Sequence, residues 1–314
     1  MAEVVTMGET MAVFVPASTG PLRYAPDFRL RMAGAESNVA VGLCKLGHSA
    51  GWISALGKDE LGQYVRNSIR AEGVDTSHIK WDTEHPTGLM IKQLSAGETS
   101  VFYYRKDSAA SHYAPEDLPL SYLEEAKIIH ISGITPALSE SCRKTVEAMA
   151  EFAREKNILL SFDPNIRKKL WVGRDFVPLM RKLLFSCQIA LLGLDEAEMI
   201  LGTREPETIT RLLTEQGVRY IGIKDGGNGA WCAKDGKQIR ILPEPCRCID
   251  PIGAGDGFNA GFLAGILEGR DLEQCGQMGA IAGAMATETL GDIDGYPDAE
   301  QMEAKLHNGG IVYR

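Results

Sequence analysis

No run in this 314-residue chain is apolar for long enough to cross a membrane as a helix. The most apolar stretch, 254–267, is short and carries Asp256, whereas a span needs about 20 residues. The N-terminus, Met1-Ala2-Glu3-Val4-Val5-Thr6, has no basic segment ahead of an apolar one, which argues against a signal peptide. These absences predict a soluble cytoplasmic protein. Positive charge is scarce too: 33 Lys and Arg face 42 Asp and Glu, for a net charge of −9. Apart from Arg167-Lys168-Lys169, basic runs stop at two residues, so a nucleic-acid surface is not expected. The seven cysteines are irregularly spaced, with Cys246-Arg247-Cys248 the one close pair and no Cys-x-x-Cys. That spacing speaks against a disulfide framework or a structural zinc site and for reduced thiols. The six histidines are scattered, and no metal constellation is expected of them. Repeats and low-complexity segments are missing, and so is a Gly-x-x-x-x-Gly-Lys-Ser/Thr phosphate loop.

What is present suits one globular domain over 1–314, with 44% hydrophobic and 24% charged residues. From about residue 120 the pattern is regular. Strands are predicted at Ile128–Ser132, Ile158–Phe162, Ile189–Leu192 and Tyr220–Lys224, separated by helices at 139–156, 175–185, 195–202 and 206–216. A hairpin at 229–242 and helices at 254–269 and 272–289 complete the domain. Strands alternating with helices imply a parallel sheet covered on both faces, with ligands at the carboxyl ends of its strands. Earlier, a strand at 3–7, a helix from Gly34 to Leu46, a strand at 52–56 and a helix capped by Asp59 belong to the same rhythm. The segments 10–32 and 80–106 do not. They read as a small β appendage able to cover the site, with a hairpin turning at Ser95-Ala96-Gly97 and Val101, Tyr103 and Arg105 on one face.

The most informative stretch is Asp250-Pro251-Ile252-Gly253-Ala254-Gly255-Asp256-Gly257-Phe258-Asn259-Ala260-Gly261. Glycines let backbone approach a ligand closely. The free N–H groups opening a helix form an anion site. A carboxylate, Asp256, sits in that first turn, a combination that suggests phosphoryl transfer to a hydroxyl. Asp256 alone would equally serve as a helix cap; the helix end should keep it ionised. Gly255-Asp256-Gly257-Phe258-Asn259-Ala260 also fits a relaxed dinucleotide fingerprint. That motif opens a βαβ unit, and here two helices follow instead, which disfavours it.

The stretch 250–261 resembles the second signature of the ribokinase-like (PfkB) carbohydrate kinases. Ala33-Gly34-Ala35-Glu36-Ser37-Asn38-Val39-Ala40, running on to Leu46-Gly47, is similar to their first signature. Gly57-Lys58-Asp59-x-x-Gly62 and Lys224-Asp225-Gly226-Gly227-Asn228-Gly229 follow in the family's order. The resemblance spans nearly the whole chain. It implies a three-layer α/β/α sandwich with a mostly parallel sheet and a small β-sheet lid, ATP as phosphoryl donor and Mg²⁺ as counter-ion. It further implies Asp256 as the general base and the amides of Gly253, Ala254 and Gly255 as an anion hole. Gly34, Asn38 and Asp292 would meet the sugar. Asn165, Gly193, Glu196, Lys224, Gly226, Gly229 and Ala280 would belong to the nucleotide side, with Glu196 an indirect metal contact. Gly193 stands where the family has Asn, which leaves that half of the motif open.

The acceptor pieces, Asp163-Pro164-Asn165-Ile166-Arg167 and Phe102-Tyr103-Tyr104-Arg105-Lys106 followed by Ser108-Ala109-Ala110-Ser111, resemble the 2-keto-3-deoxygluconate kinase branch. A sugar acid carries a carboxylate, which a guanidinium pairs through two parallel hydrogen bonds. Arg105 and Arg167 are the candidates, with Tyr103 beside them, for transfer to the 6-hydroxyl. Fructokinases share versions of these pieces, so fructokinase stays open, as does a sugar-sensing protein without turnover. Exposed lid edges and the family's habit imply a homo-oligomer through the lid.

Overall fold

The computed structural model describes residues 1–95 and 98–307. Ala96 and Gly97 of the expected hairpin turn lie outside the described residues. In chain order the strands are β1 (Val4–Met7), β2 (Met11–Pro16), β3 (Phe28–Ala33), β4 (Ala50–Gly57), β5 (Ile79–Asp82), β6 (Leu89–Ser95) and β7 (Glu98–Tyr104). They continue with β8 (Ile128–Ser132), β9 (Leu159–Asp163), β10 (Ile189–Gly193), β11 (Tyr220–Lys224), β12 (Ala230–Lys234) and β13 (Lys237–Ile241).

Nine of them form one sheet in the order β13-β12-β11-β10-β9-β8-β1-β4-β5. It is parallel from β5 to β11 and closes with an antiparallel hairpin. Successive side chains of a strand point to opposite faces, and the core divides accordingly. Val5, Ile129, Leu160, Ala190 and Leu192 pack on one face with helices Glu140–Lys156 and Val177–Ser186. Val4, Ile128, Ile189 and Leu191 pack on the other with helices Ala35–Lys45, Ala254–Leu267 and Leu272–Ala286. The molecule is thus a three-layer α/β/α sandwich with a second, smaller sheet.

That smaller sheet has the order β3-β2-β6-β7, with β2 and β6 parallel and the outer pairs antiparallel. Its boundary differs from the sequence expectation. The sequence pattern puts the whole of 80–106 in the appendage, yet β5 at its start pairs with β4 in the large sheet, Ser54 opposite Ile79. Ile79 and Trp81 pack into the large core, and that burial decides the pairing. Asp59 ties the two sheets at this point. One of its oxygens caps helix Glu60–Ala71 through the Gly62 amide at 2.7 Å, and the other takes the Thr87 amide at 2.8 Å.

Candidate active site

A cavity of about 920 Å³ lies between the carboxyl ends of the large sheet's strands and one face of the small sheet. Such a volume holds a drug-sized ligand. The small sheet contributes Met90, Lys92, Val101 and Tyr103, with Arg105 just beyond β7. The sandwich contributes Gly34, Asn38, Asp163, Asn165, Arg167, Glu196 and Lys224, with Gly253, Gly255 and Asp256.

Helix Ala254–Leu267 enters it end-on. Its cap is Gly253, at φ +86°, and no side chain caps the helix. A Cβ on Gly253 would sit 2.2 Å from the Asp292 carbonyl oxygen. Handedness and space therefore both demand glycine here. The helix's first internal bond runs from the Gly257 amide to the Gly253 carbonyl at 2.8 Å. The amides before it have no helical acceptor; that of Ala254 leans on the Pro251 carbonyl at 3.4 Å. Gly253 and Gly255 line the cavity. Tyr296 fixes the bend, donating its hydroxyl to the Gly253 carbonyl at 2.9 Å.

Asp256, 8% exposed, takes one hydrogen bond at Oδ2, from Asn38 Nδ2 at 2.8 Å. Asn38 comes from the first turn of helix Ala35–Lys45, which Gly34 opens. The two sequence signatures thus meet in one hydrogen bond across 218 residues. Burial, reinforced by the nearby Asp163 charge, pushes the Asp256 carboxyl up to about 7, against the Asn38 bond, Arg167 and Lys224. This corrects the expectation that the helix end keeps Asp256 firmly ionised. A helix terminus supplies roughly 0.3–2 kcal/mol. A rise from about 4 to about 7 corresponds to something on the order of 4 kcal/mol, so desolvation wins. A carboxyl raised to this range can take up or release a proton near neutral pH.

Beneath it lies a paired network. Lys224 Nζ donates to Asp163 Oδ2 at 2.7 Å and to Asn259 Oδ1 at 3.2 Å, and Asn259 Nδ2 donates to the same Asp163 oxygen at 2.6 Å. Burial alone would lower the Lys224 ammonium, but Asp163 and Glu196 more than offset it and hold it protonated. Lys224, which the resemblance puts on the nucleotide side, stands at the end of β11 and lines the cavity. Glu196 accepts the Ile166 amide at Oε1 and the Gly193 amide at Oε2, both at 2.8 Å. It therefore pins two strand-end loops, and burial raises its carboxyl. Each Glu196 oxygen thus holds one backbone amide.

The substrate candidates separate. Arg167 lines the cavity, is exposed, and has no ion-pair partner among the described residues. Arg105 is buried and already paired: Nε donates to Glu9 Oε2 at 2.6 Å, Nη2 approaches the same carboxylate, and Ser108 donates to its other oxygen. Of the two candidate arginines, Arg105 thus has one edge of its guanidinium fork committed inside the protein. Tyr103 lies under the Arg105 guanidinium, 5.8 Å from ring centroid to Cζ. Asp292 accepts from Lys92 of β6 at 3.4 Å, and Lys92 also lies 3.9 Å from Asp250. Burial raises the Asp292 carboxyl, with Lys92 opposing.

Gly226, Gly229 and Ala280 do not line this cavity. The first two flank an exposed turn after β11, at φ +52° and +90°. Ala280 is half-buried in helix Leu272–Ala286. Glu9, Lys92 and Asn259 went unassigned in the sequence. Asn259 was inside the quoted signature, one helical turn after Asp256, and Glu9 followed the end of β1. Lys92 gave no signal beyond an alternation shared with Met90.

Residues 1–299 match the family described as pfkB family carbohydrate kinase. The chain is 37% identical over 318 residues to a 2-dehydro-3-deoxygluconokinase of Bacillus subtilis (strain 168), covering 99% of this chain and 98% of the relative. It is 31% identical over 313 residues to one from Thermoproteus tenax, covering 98% and 94%. The crystal structure of a PfkB protein from Polaromonas sp. JS666 superposes with a TM-score of 0.88 at 33% identity, covering 97% of this chain and 100% of that one.

Proposed function

The chain belongs to the pfkB family of carbohydrate kinases, and on that footing we propose that it phosphorylates the 6-hydroxyl of 2-keto-3-deoxygluconate. The observation that carries the reading is Arg167, an exposed guanidinium with no ion-pair partner among the described residues, in the same cavity as Asp256. A neutral sugar leaves such a charge without a partner; a sugar acid supplies one. The relatives' names support the same substrate class.

ATP is the donor. Its terminal phosphate meets the uncapped N-terminus of helix Ala254–Leu267, where the Gly253, Ala254 and Gly255 amides form the anion hole. The sugar lies along Gly34, Asn38 and Asp292, its carboxylate toward Arg167, Tyr103 and the uncommitted edge of Arg105. Asp256 takes the hydroxyl proton as the sugar oxygen bonds to the γ-phosphorus and the bond to the bridging oxygen breaks, releasing ADP. Lys224, held protonated by Asp163, places positive charge beside the transferring group. The oxygen-rich wall of Asp163 and Glu196 suits a hard cation. Those two would hold Mg²⁺, Glu196 through water, and the ion neutralises phosphate charge when bound.

A coupled ADP-release assay over sugars and sugar acids tests this. Turnover is expected with 2-keto-3-deoxygluconate and little with fructose. Equal turnover with fructose overturns the acid-sugar assignment, and no ADP release with any sugar points to a sensing protein. Exposed Phe102 and Tyr104 on the small sheet support pairing of two chains through it, which light scattering on the purified protein checks.

A further inference from the structure

The scattered histidines of the sequence do not stay scattered. Among the described residues, His85, Asp107 and His112 alone bring three metal-capable side chains together, with their ligand atoms all within 4.8 Å of one another. None of the three lines the cavity. The His85 and His112 rings stack, 3.5 Å between centroids and 17° between planes. Asp107 Oδ1 lies 2.7 Å from His112 Nε2. His85 is fixed from the other side, its Nδ1 at 2.9 Å from Asp82 Oδ2, while Asp82 Oδ1 accepts the Glu84 and His85 amides at 2.7 and 2.9 Å.

We propose that His85, Asp107 and His112 form a binding site for a borderline divalent cation of the Zn²⁺, Co²⁺ or Ni²⁺ type, distinct from the reaction's Mg²⁺. With Nδ1 donating to Asp82, His85 presents Nε2 as a lone pair. A carboxylate behind a ligating imidazole is the usual orienting arrangement of such sites. Two imidazoles and one carboxylate select Zn²⁺, Co²⁺ or Ni²⁺ over Mg²⁺, which prefers oxygen throughout. The fourth position falls to water. Two ligands on a tetrahedral ion at about 2.0–2.1 Å stand about 3.3 Å apart, so the cluster contracts on binding. The side chains that must move are the exposed ones: Asp107 and His112 have side chains 71% and 41% exposed, against 24% for His85. Binding turns the His112 ring out of the stack, because stacked rings cannot aim both lone pairs at one ion.

The location gives the site its consequence. Residues 83–88 lead from β5 into β6, and residues 105–112 lead away from β7. These two segments carry the β6–β7 hairpin on the sandwich, and the Ala109 amide already donates to the Pro86 carbonyl at 2.8 Å. A shared ion adds a cross-link between them and restrains the half of the small sheet that bears Lys92 and Tyr103.

The test uses the full chain in a Cys246→Ser, Cys248→Ser background, because those exposed thiols also bind such ions. Metal-stripped protein is titrated with Co²⁺, following its visible absorption, and with Zn²⁺ by calorimetry. One saturable equivalent per chain is expected, lost in His85→Ala and in the solvent-facing His112→Ala. Asp82→Asn, which leaves all three ligands in place, should weaken binding by about 10–100-fold. Excess Mg²⁺ should not displace Co²⁺. Absence of saturable binding, or the same spectrum and stoichiometry in both histidine variants, overturns the site. Displacement by equimolar Mg²⁺ overturns the assigned ion class. Thermal unfolding without metal confirms that each variant folds, so a lost spectrum reports a lost ligand.

Discussion

Arg105 and Arg167 face the same cavity from opposite walls, and their surroundings differ in every respect. Arg105, just beyond β7, is 9% exposed and shares its charge with Glu9, itself 3% exposed. Arg167, in the loop after β9, is exposed and has no ion-pair partner among the described residues. A buried charge must be paired or its desolvation goes uncompensated, whereas an exposed one can wait for a ligand. Asp256 departs from that rule: it is buried with one side-chain hydrogen bond among the described residues, and burial raises its carboxyl to about 7, whereas Lys224 is held between Asp163 and Asn259. Paired groups build the wall, and the underpaired Arg167 and Asp256 are the ones proposed above to meet the substrate.

The sharpest way to break this contrast is to remove the underpaired carboxylate. Asp256→Asn should lower kcat by about two to four orders of magnitude, with the fold intact by circular dichroism; near-normal turnover would end the role assigned to Asp256. In the unliganded wild type kcat/KM should rise with pH through about 7 as Asp256 ionises. Stability should move the other way. Because the folded state raises this pKa, the proton-linked contribution is complete below about 4 and is lost as pH climbs through about 7. Asp256→Asn should abolish that slope in denaturant titrations.

Next in size is the paired wall. Arg105→Ala strands the buried Glu9 charge and should cost about 3–5 kcal/mol of unfolding free energy. Glu9→Gln in the same chain should restore part of it, and an unchanged denaturation midpoint would show that the pair is not structural. Arg167→Ala should do the opposite: leave stability unchanged and raise KM for the sugar acid about ten- to a hundredfold, the value of hydrogen bonds to a charged group. A matching loss with a neutral sugar would remove carboxylate recognition from Arg167. The smallest effect belongs to Tyr103→Phe. Deleting one hydroxyl from an exposed ring should change kcat/KM by about tenfold or less; a change as large as that of Arg167→Ala would place Tyr103 at the centre of recognition.

Much of the fold was legible because it rests on local periodicity. Tyr220–Lys224 and Ile128–Ser132 are bounded by turn residues and appear where the apolar runs place them. β5 was missed because Ile79-Lys80-Trp81-Asp82 is four residues long and half-buried, too short for a period to register. The helix Ala299–Leu306, with its Asp298–Gln301 capping box, was missed because Met302 is its one buried residue and leaves no apolar stripe to read. In the site, Gly253, Gly255 and Asp256 stood out as a glycine-rich helix start with a carboxylate in its first turn, whereas Gly34 and Asn38 came only from the family resemblance, and the roles of all five are those proposed above. Glu9 and Lys92 were not legible, since a charge that will be buried looks the same in a sequence as one that will be solvated.

Sequence alone determined the layered architecture, the glycine-rich helix start and the carboxylate inside it, because periodicity, glycine and helix-end chemistry are local. Tertiary structure decided what no local pattern contains: that burial raises the Asp256 carboxyl to about 7, that Arg105 is committed to Glu9 while Arg167 has no ion-pair partner among the described residues, and that His85 and His112 meet. Burial and partnership arise between segments far apart in the chain, and they set the energy of a charge.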